Sequence, residues 1–250
     1  MRSKQTMIHL DRISPDPPKR WEKKGAKEKL SELHKELFKL QNKFFADGRH
    51  ALLIILQGID TAGKSGTIRH ALMCMNPLGL RATSFGVPTT EEAKHDFLWR
   101  IFPHLPPKGM IHVFDRSHYE DILVPTVTKK ITAAEREKRC ELINTVEQHW
   151  VRSGIGVLKF YLHIDREEQK ERIAARKKEP LKQWKYAKAD NVGAKHWDQY
   201  RKAYELVLTN CNAVKWNIIP ANKRWCRNYA VAKIVRDHLV GSKLKYPRSK

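Results

Sequence analysis

Cysteine is scarce in this chain: Cys74, Cys140, Cys211 and Cys226 are its four, far apart and never in a C-x-x-C pair. That excludes a disulfide frame and a cysteine-built metal site, and it reads as reduced cytosolic thiols. Long apolar runs are also missing. The longest are strand length, far short of the ~20 residues a membrane helix needs. The opening Met1-Arg2-Ser3-Lys4-Gln5 is charged and lacks an apolar signal core, so the expectation is a cytoplasmic protein with no membrane partner. No internal repeat or long low-complexity tract occurs. Acidic residues are short as well, 27 Asp+Glu against 49 Lys+Arg, leaving a net charge of +22. A field of that sign attracts polyanions: nucleic acid, an anionic membrane face or an inorganic phosphate polymer. Charge alone does not separate the three.

Against these absences stands one dense stretch, Gly58-Ile59-Asp60-Thr61-Ala62-Gly63-Lys64-Ser65-Gly66-Thr67. An apolar run, Ala51 to Leu56, precedes it, and a helical pattern from Ser65 to about Met75 follows. Strand, glycine-rich loop and helix in that order make G-x-x-x-x-G-K-[ST] a phosphate-binding loop. Backbone N–H groups around Gly58, Ala62, Gly63, Gly66 and Thr67 would cradle phosphate oxygens at a helix N-terminus. Lys64 would neutralise a phosphoryl group in transit, and the Ser65 hydroxyl would reach a magnesium ion.

The rest of the chain alternates strands and helices. Residues 1–24 read as a basic extended arm, 25–240 as a single α/β domain and 241–250 as a basic tail. Leu30, Leu33, Leu37, Leu40 and Phe44 form one helical stripe ending at Asp47-Gly48. Strands are expected at about 50–56, 81–87, 110–114, 156–164 and 215–220. Helices are expected at 88–102, at 132–152 behind a Thr132/Glu135 capping box, and at 167–178, 194–209 and 224–239. This pattern implies a five-stranded parallel sheet covered on both faces.

The third strand runs into Asp115-Arg116 within Phe114-Asp115-Arg116-Ser117-His118-Tyr119-Glu120-Asp121. An apolar strand ending in Asp beside a P-loop is the Walker B arrangement, its carboxylate placed to hold a metal. The planar guanidinium of Arg116 matches phosphate oxygens. Asp60, inside the loop, either points away as a turn residue or coordinates magnesium and orients the attacking phosphate; the second reading is favoured. Arg172 and Arg176 share a helical face. Their helix is either a lid closing over the transferring phosphate or a solvated surface helix.

Together, G-I-D-T-A-G-K-S-G-T-I at 58–68, N-P-L-G at 76–79, S-F-G-V-P-T at 84–89, H-D-F-L-W-R at 95–100, F-D-R-S-H-Y-E-D at 114–121, L-K-F-Y-L-H-I at 158–164, E-E-Q-K-E-R at 167–172 and W-x-x-I-P-A at 216–221 resemble the polyphosphate kinase 2 family. The resemblance spans roughly residues 15 to 240. It implies a P-loop kinase fold similar to thymidylate kinase, with a helical lid at about 165–190. It also implies reversible phosphoryl transfer between inorganic polyphosphate and nucleoside mono- or diphosphates, with Mg2+ (or Mn2+) as cofactor. Carried over by position, Asp60, Lys64, Arg116 and Arg176 are catalytic, Asp60 and Asp115 bind metal, and Asp60, Asp115 and Glu120 face the nucleotide. Arg116, Arg172 and Arg176 join the loop in binding phosphate. S-H-Y-E-D resembles the variant that accepts both mono- and diphosphates, although Asp115 stands where some of those relatives carry Asn. Relatives often form dimers or tetramers, so a homo-oligomer is expected. Two other readings remain: an ATP-dependent nucleoside monophosphate kinase, and a basic P-loop protein that binds nucleic acid. The retained Asp60, Asp115 and Arg116 argue against the latter.

Overall fold

A computed structural model describes residues 6–183 and 195–247. Among these residues, five parallel strands form one sheet: β1 (Ala51–Gln57), β2 (Leu80–Ser84), β3 (Ile111–Asp115), β4 (Ile155–His163) and β5 (Trp216–Pro220), in the order β2-β3-β1-β4-β5. Every residue of β1 is buried, as a continuous apolar run flanked by strands on both sides and covered on both faces requires. In register, Leu56 lies opposite Asp115 of β3 and Phe160 of β4. The chain leaves β1 toward β2 and β3, then crosses to β4 on the other side. The loop after β1 therefore sits at the carboxyl edge where the connections diverge, the position at which open α/β sheets bind ligands.

The helices follow the sequence pattern closely. Helix α1 (Lys23–Asp47) buries Leu33, Leu37 and Phe44 and ends on Gly48 at φ 63°, in the left-handed conformation glycine adopts readily. Helix α2 (Lys64–Thr67) continues through a wider turn at Ile68–Leu72, where Met73 N–H bonds back to the Ile68 carbonyl. Helix α4 (Ala133–Arg152) opens with the Thr132 hydroxyl accepting from Glu135 N–H at 3.1 Å. Helices α5 (Arg166–Lys178), α6 (Pro180–Gln183), α7 (Trp197–Asn210) and α8 (Arg224–Gly241) complete the cover, α8 lying against α1. Residues 8–16 run along the body: Leu10 is buried, its N–H bonds to Glu205, and the carbonyls of Ile13 and Pro15 meet His163 and Asn222. Residues 184–190 of the expected lid, and the ends 1–5 and 248–250, lie outside the described residues.

Two expectations are corrected. The helix expected over 88–102 is absent; the segment holds only short turns at Glu92–Lys94 and Phe102–His104. Thr89 and Glu92 cap one another, which satisfies a single turn. His95 is then extended, and Arg100 draws the segment inward by bonding the Gly86 carbonyl and Asp121. A short helix, α3 (Glu120–Val127), forms where none was expected. Pro125 inside it, with the β-branched Val124, Thr126 and Val127, masks its helical pattern.

Candidate active site

The glycine-rich loop adopts conformations that side chains rarely take. Thr61 stands at φ 70° and Gly63 at φ 103°. A Cβ at position 63 would also lie 1.8 Å from Arg227 Nη1, so any side chain there would have to displace that buried guanidinium. The carbonyls of Thr61 and Ala62 are held from behind by two buried guanidiniums. Arg172 Nη1 donates to both at 2.9 Å, and Arg227 Nη1 donates to Ala62 at 3.3 Å. The first N–H groups of α2 have no intrahelical partner and remain for a ligand.

On the strand side, Arg116 takes φ 68° while its N–H still pairs with the Leu56 carbonyl. This turn brings its guanidinium to Asp60, with Nη2 to Oδ1 at 2.5 Å, and to Glu120, with Nη1 to Oε2 at 3.3 Å. Ser65 Oγ donates to Asp115 Oδ2 at 2.8 Å. Lys64 folds back so that its ammonium donates to the Gly58 carbonyl at 2.8 Å. Gly58, Asp60, Arg116, Glu120, Tyr200 and Tyr204 wall one small hollow. The Walker A and Walker B residues predicted from sequence are thus brought together.

The electrostatics follow from burial. Burial pushes Lys64 down, and Arg116 adds to this, while Asp60, Asp115 and Glu120 oppose it. Burial raises the Glu120 carboxyl, partly offset by Arg116 and Lys64. For Arg116 burial works against the charge, but Glu120 and Asp60 more than compensate and hold it above its ordinary value. Ser65 and Asp115, joined at 2.8 Å, and Asp60, reached through its pair with Arg116, all offer oxygen donors. Such a set suits a hard divalent cation that completes its shell with water and phosphate oxygens.

Arg172 is a correction. Its Nε bonds Glu168 at 2.8 Å, and its Nη groups bond the carbonyls of Thr61, Ala62, Ala221 and Asn222. All five donors of a guanidinium are spent, so none is left for phosphate. Arg172 braces the loop. Arg176, one turn later, is half-buried on the same helix. Sequence reasoning also missed Arg227, which packs beneath Gly63 and Gly66 and which burial, with Arg172 and Arg224 beside it, pushes down to about 9. An arginine one helical step from Ala230 and Val231 was the available signal. We expect Arg172→Ala to lower stability and activity together, because buried carbonyls left unsatisfied cost about 1–3 kcal/mol each. Arg176→Ala should reduce turnover with little change in melting temperature. Calorimetry beside initial rates checks both. A wild-type rate for Arg176→Ala would remove the residue from the site.

Comparison with known proteins gives this geometry its family. The sequence model described as polyphosphate kinase 2 (PPK2) matches residues 20–247. The chain belongs to the polyphosphate kinase 2 family. It is 40% identical to an AMP/ADP-polyphosphate phosphotransferase of Meiothermus ruber over 96% of this chain and 92% of that protein. It is 37% identical to an ADP-polyphosphate phosphotransferase of Rhodopseudomonas palustris, covering 84% of this chain and 78% of that one. The crystal structure of polyphosphate kinase 2 from Arthrobacter aurescens TC1 superposes with a TM-score of 0.93 at 38% identity, covering 97% of this chain and 89% of that chain. The expected α/β fold with a five-stranded parallel sheet and the polyphosphate kinase 2 membership are both borne out. Among the described residues no helix is long and apolar enough to cross a membrane.

Proposed function

We propose that this protein is a polyphosphate-dependent nucleotide kinase, transferring a phosphoryl group from inorganic polyphosphate to AMP and ADP. The observation that carries the reading is the Asp60–Arg116 pair, which joins the Walker A loop to the Walker B strand beside Lys64 and Asp115. Such a transfer needs little covalent chemistry from the protein; alignment and charge stabilisation do most of it. In this reading Lys64, Arg116 and Arg176 neutralise the phosphoryl group in transit, and Asp60 orients the acceptor phosphate. Asp60, Asp115 and Ser65 would hold magnesium, which would supply positive charge to offset that of the phosphates. A cytoplasmic location, expected from the scattered reduced thiols, and a homo-oligomer, expected from the family resemblance, belong to the same proposal.

The cationic surplus supports a polymeric donor. Arg224 stands at the start of α8, beside the buried Arg172 and Arg227 that underlie the loop. The test is incubation with AMP, magnesium and polyphosphate in the absence of ATP. ADP and then ATP should form; formation of ADP only when ATP is supplied would make the protein an ATP-dependent monophosphate kinase instead. Salt gives an independent check. Each neutralised phosphate contributes somewhat under one unit to a log–log salt slope. KM for polyphosphate should therefore rise with salt more steeply than KM for AMP, free magnesium being held constant. Equal slopes would mean that the +22 charge does not serve the donor.

A further inference from the structure

The arm that precedes α1 lies along one face of α7. Arg201, Glu205 and Thr209 recur there at four-residue steps and so stand in a row. Ile8 N–H donates to Thr209 Oγ1 at 2.9 Å, and Leu10 N–H to Glu205 Oε1 at 2.9 Å. Leu10 is buried in the core, so the residues on either side of it, His9 and Asp11, stay exposed beside Glu205. One donor atom from each of His9, Asp11 and Glu205 lies within 4.8 Å of the other two.

Two carboxylates repel at this range unless a cation joins them. The chain carries a net charge of +22, yet the arginine that pairs here, Arg201, reaches only Glu205 Oε1, at 3.6 Å. Among the described residues the His9 ring, the Asp11 carboxylate and Glu205 Oε2 have no hydrogen bond or ion pair. Beneath the arm, beside Leu10 and Glu205, lies the ring of His163, only 6% exposed. Its Nε2 meets the Ile13 carbonyl at 2.9 Å, and its Nδ1 has no hydrogen-bond partner among the described residues. A carbonyl only accepts, so Nε2 carries the proton, and burial favours the neutral ring. Nδ1 is then a bare acceptor, which a water held on a cation above it would satisfy.

We propose that His9, Asp11 and Glu205 form a site for a divalent transition-metal ion of zinc's class, which clasps the N-terminal arm to α7. One imidazole and two carboxylates make a mixed nitrogen–oxygen set. Such a set suits Zn2+, whereas magnesium prefers oxygen alone. The site is thus chemically distinct from Asp60, Asp115 and Ser65. Farther along the arm, the Pro15 carbonyl and the Asp16 carboxylate meet Asn222, which also bonds Asp165, the cap of α5. Holding the arm therefore steadies the start of the helix that carries Arg172 and Arg176.

The test uses the untagged full chain, stripped of metal by a chelator and then held in excess magnesium. Titration calorimetry with zinc should show one tight equivalent. His9→Ala and Asp11→Asn, both at exposed positions, should each weaken it by at least ~10-fold, the effect of losing even an outer-shell partner. Glu205→Gln should do the same while keeping an acceptor for Leu10 N–H. Asp60→Asn should bind zinc as the wild type does. Hydrogen exchange reads the clasp: zinc should slow the amides of residues 8–16 several-fold in the wild type and leave them unmoved in His9→Ala. Three calorimetric results overturn the proposal: no zinc equivalent in the wild type, binding by His9→Ala and Asp11→Asn equal to the wild type, or loss of the equivalent in Asp60→Asn. Exchange over residues 8–16 that zinc leaves unchanged in the wild type overturns it too. Neither measurement involves phosphoryl transfer, so the outcome is independent of the donor and acceptor assignments.

Discussion

Replacing Lys64 with alanine should cut turnover by at least ~100-fold, since one preorganised charge contact at a transition state is worth that much or more. The fold should survive. In this structure the ammonium makes one hydrogen bond, to the Gly58 carbonyl, and burial already disfavours its charge. Removing it deletes a desolvated cation and leaves one loop carbonyl to find water. Melting temperature should therefore hold or rise while the rate collapses. Lys64→Arg should not restore turnover, because a planar guanidinium cannot occupy the place of a compact ammonium under a tight loop. Initial rates of ADP formation beside scanning calorimetry measure both effects. Near wild-type turnover in Lys64→Ala would remove the loop from the chemistry.

The largest expected loss of stability lies away from the phosphates. Lys159, in the middle of β4, is fully buried, and its ammonium donates to Glu147 at 2.7 Å, to Tyr119 Oη at 2.8 Å and to the Cys211 carbonyl at 2.8 Å. Tyr119 donates in turn to Glu147 at 2.5 Å, and Tyr119 is the residue from which α3 and Glu120 start. Burial alone would raise the Glu147 carboxyl, but Lys159 and His118 together hold it below its ordinary value. Glu147→Ala strands the ammonium and should cost about 3–5 kcal/mol, the usual penalty for breaking a buried pair from one side. For a chain of this size that is roughly 6–20 °C in melting temperature. Glu147→Leu combined with Lys159→Met should recover only part of it, since the apolar pair removes both buried charges but leaves the Tyr119 hydroxyl and the Cys211 carbonyl without these partners. The pH dependence has a definite sign. A carboxyl depressed in the fold stabilises above its unfolded pKa, and the contribution is lost as pH falls through the folded value. The wild type should thus lose its margin over Glu147→Ala in acid. A single-variant loss below about 1 kcal/mol, measured by denaturant titration, would show that the network is incidental.

Local features of this chain were readable without coordinates. The β1 run, the loop glycines, the Thr132 cap and the Gly48 stop each depend on neighbours within a few residues, and each forms where the pattern places it. The 88–102 segment shows the limit. Its helical pattern is real over one turn, but the pull of Arg100 toward Gly86 and Asp121 outweighs the modest gain of propagating a helix. Lys159 could have been singled out earlier, because a lysine in a central parallel strand has no solvent to reach and must be paired.

Sequence by itself determined that a phosphate loop follows a central strand and that Asp115-Arg116 ends the strand beside it, since both follow from local backbone chemistry. It also settled the cationic balance, a matter of composition. Tertiary structure alone decided which arginine does what. Helical spacing puts Arg172 and Arg176 on one face but says nothing of what lies opposite. The partners that claim Arg172 are backbone carbonyls 111 and 110 residues upstream and 49 and 50 residues downstream in the chain. Every residue carries a carbonyl, so no side-chain pattern could announce them. Only the packing of α5 and α8 behind the loop turned Arg172 and Arg227 into its supports.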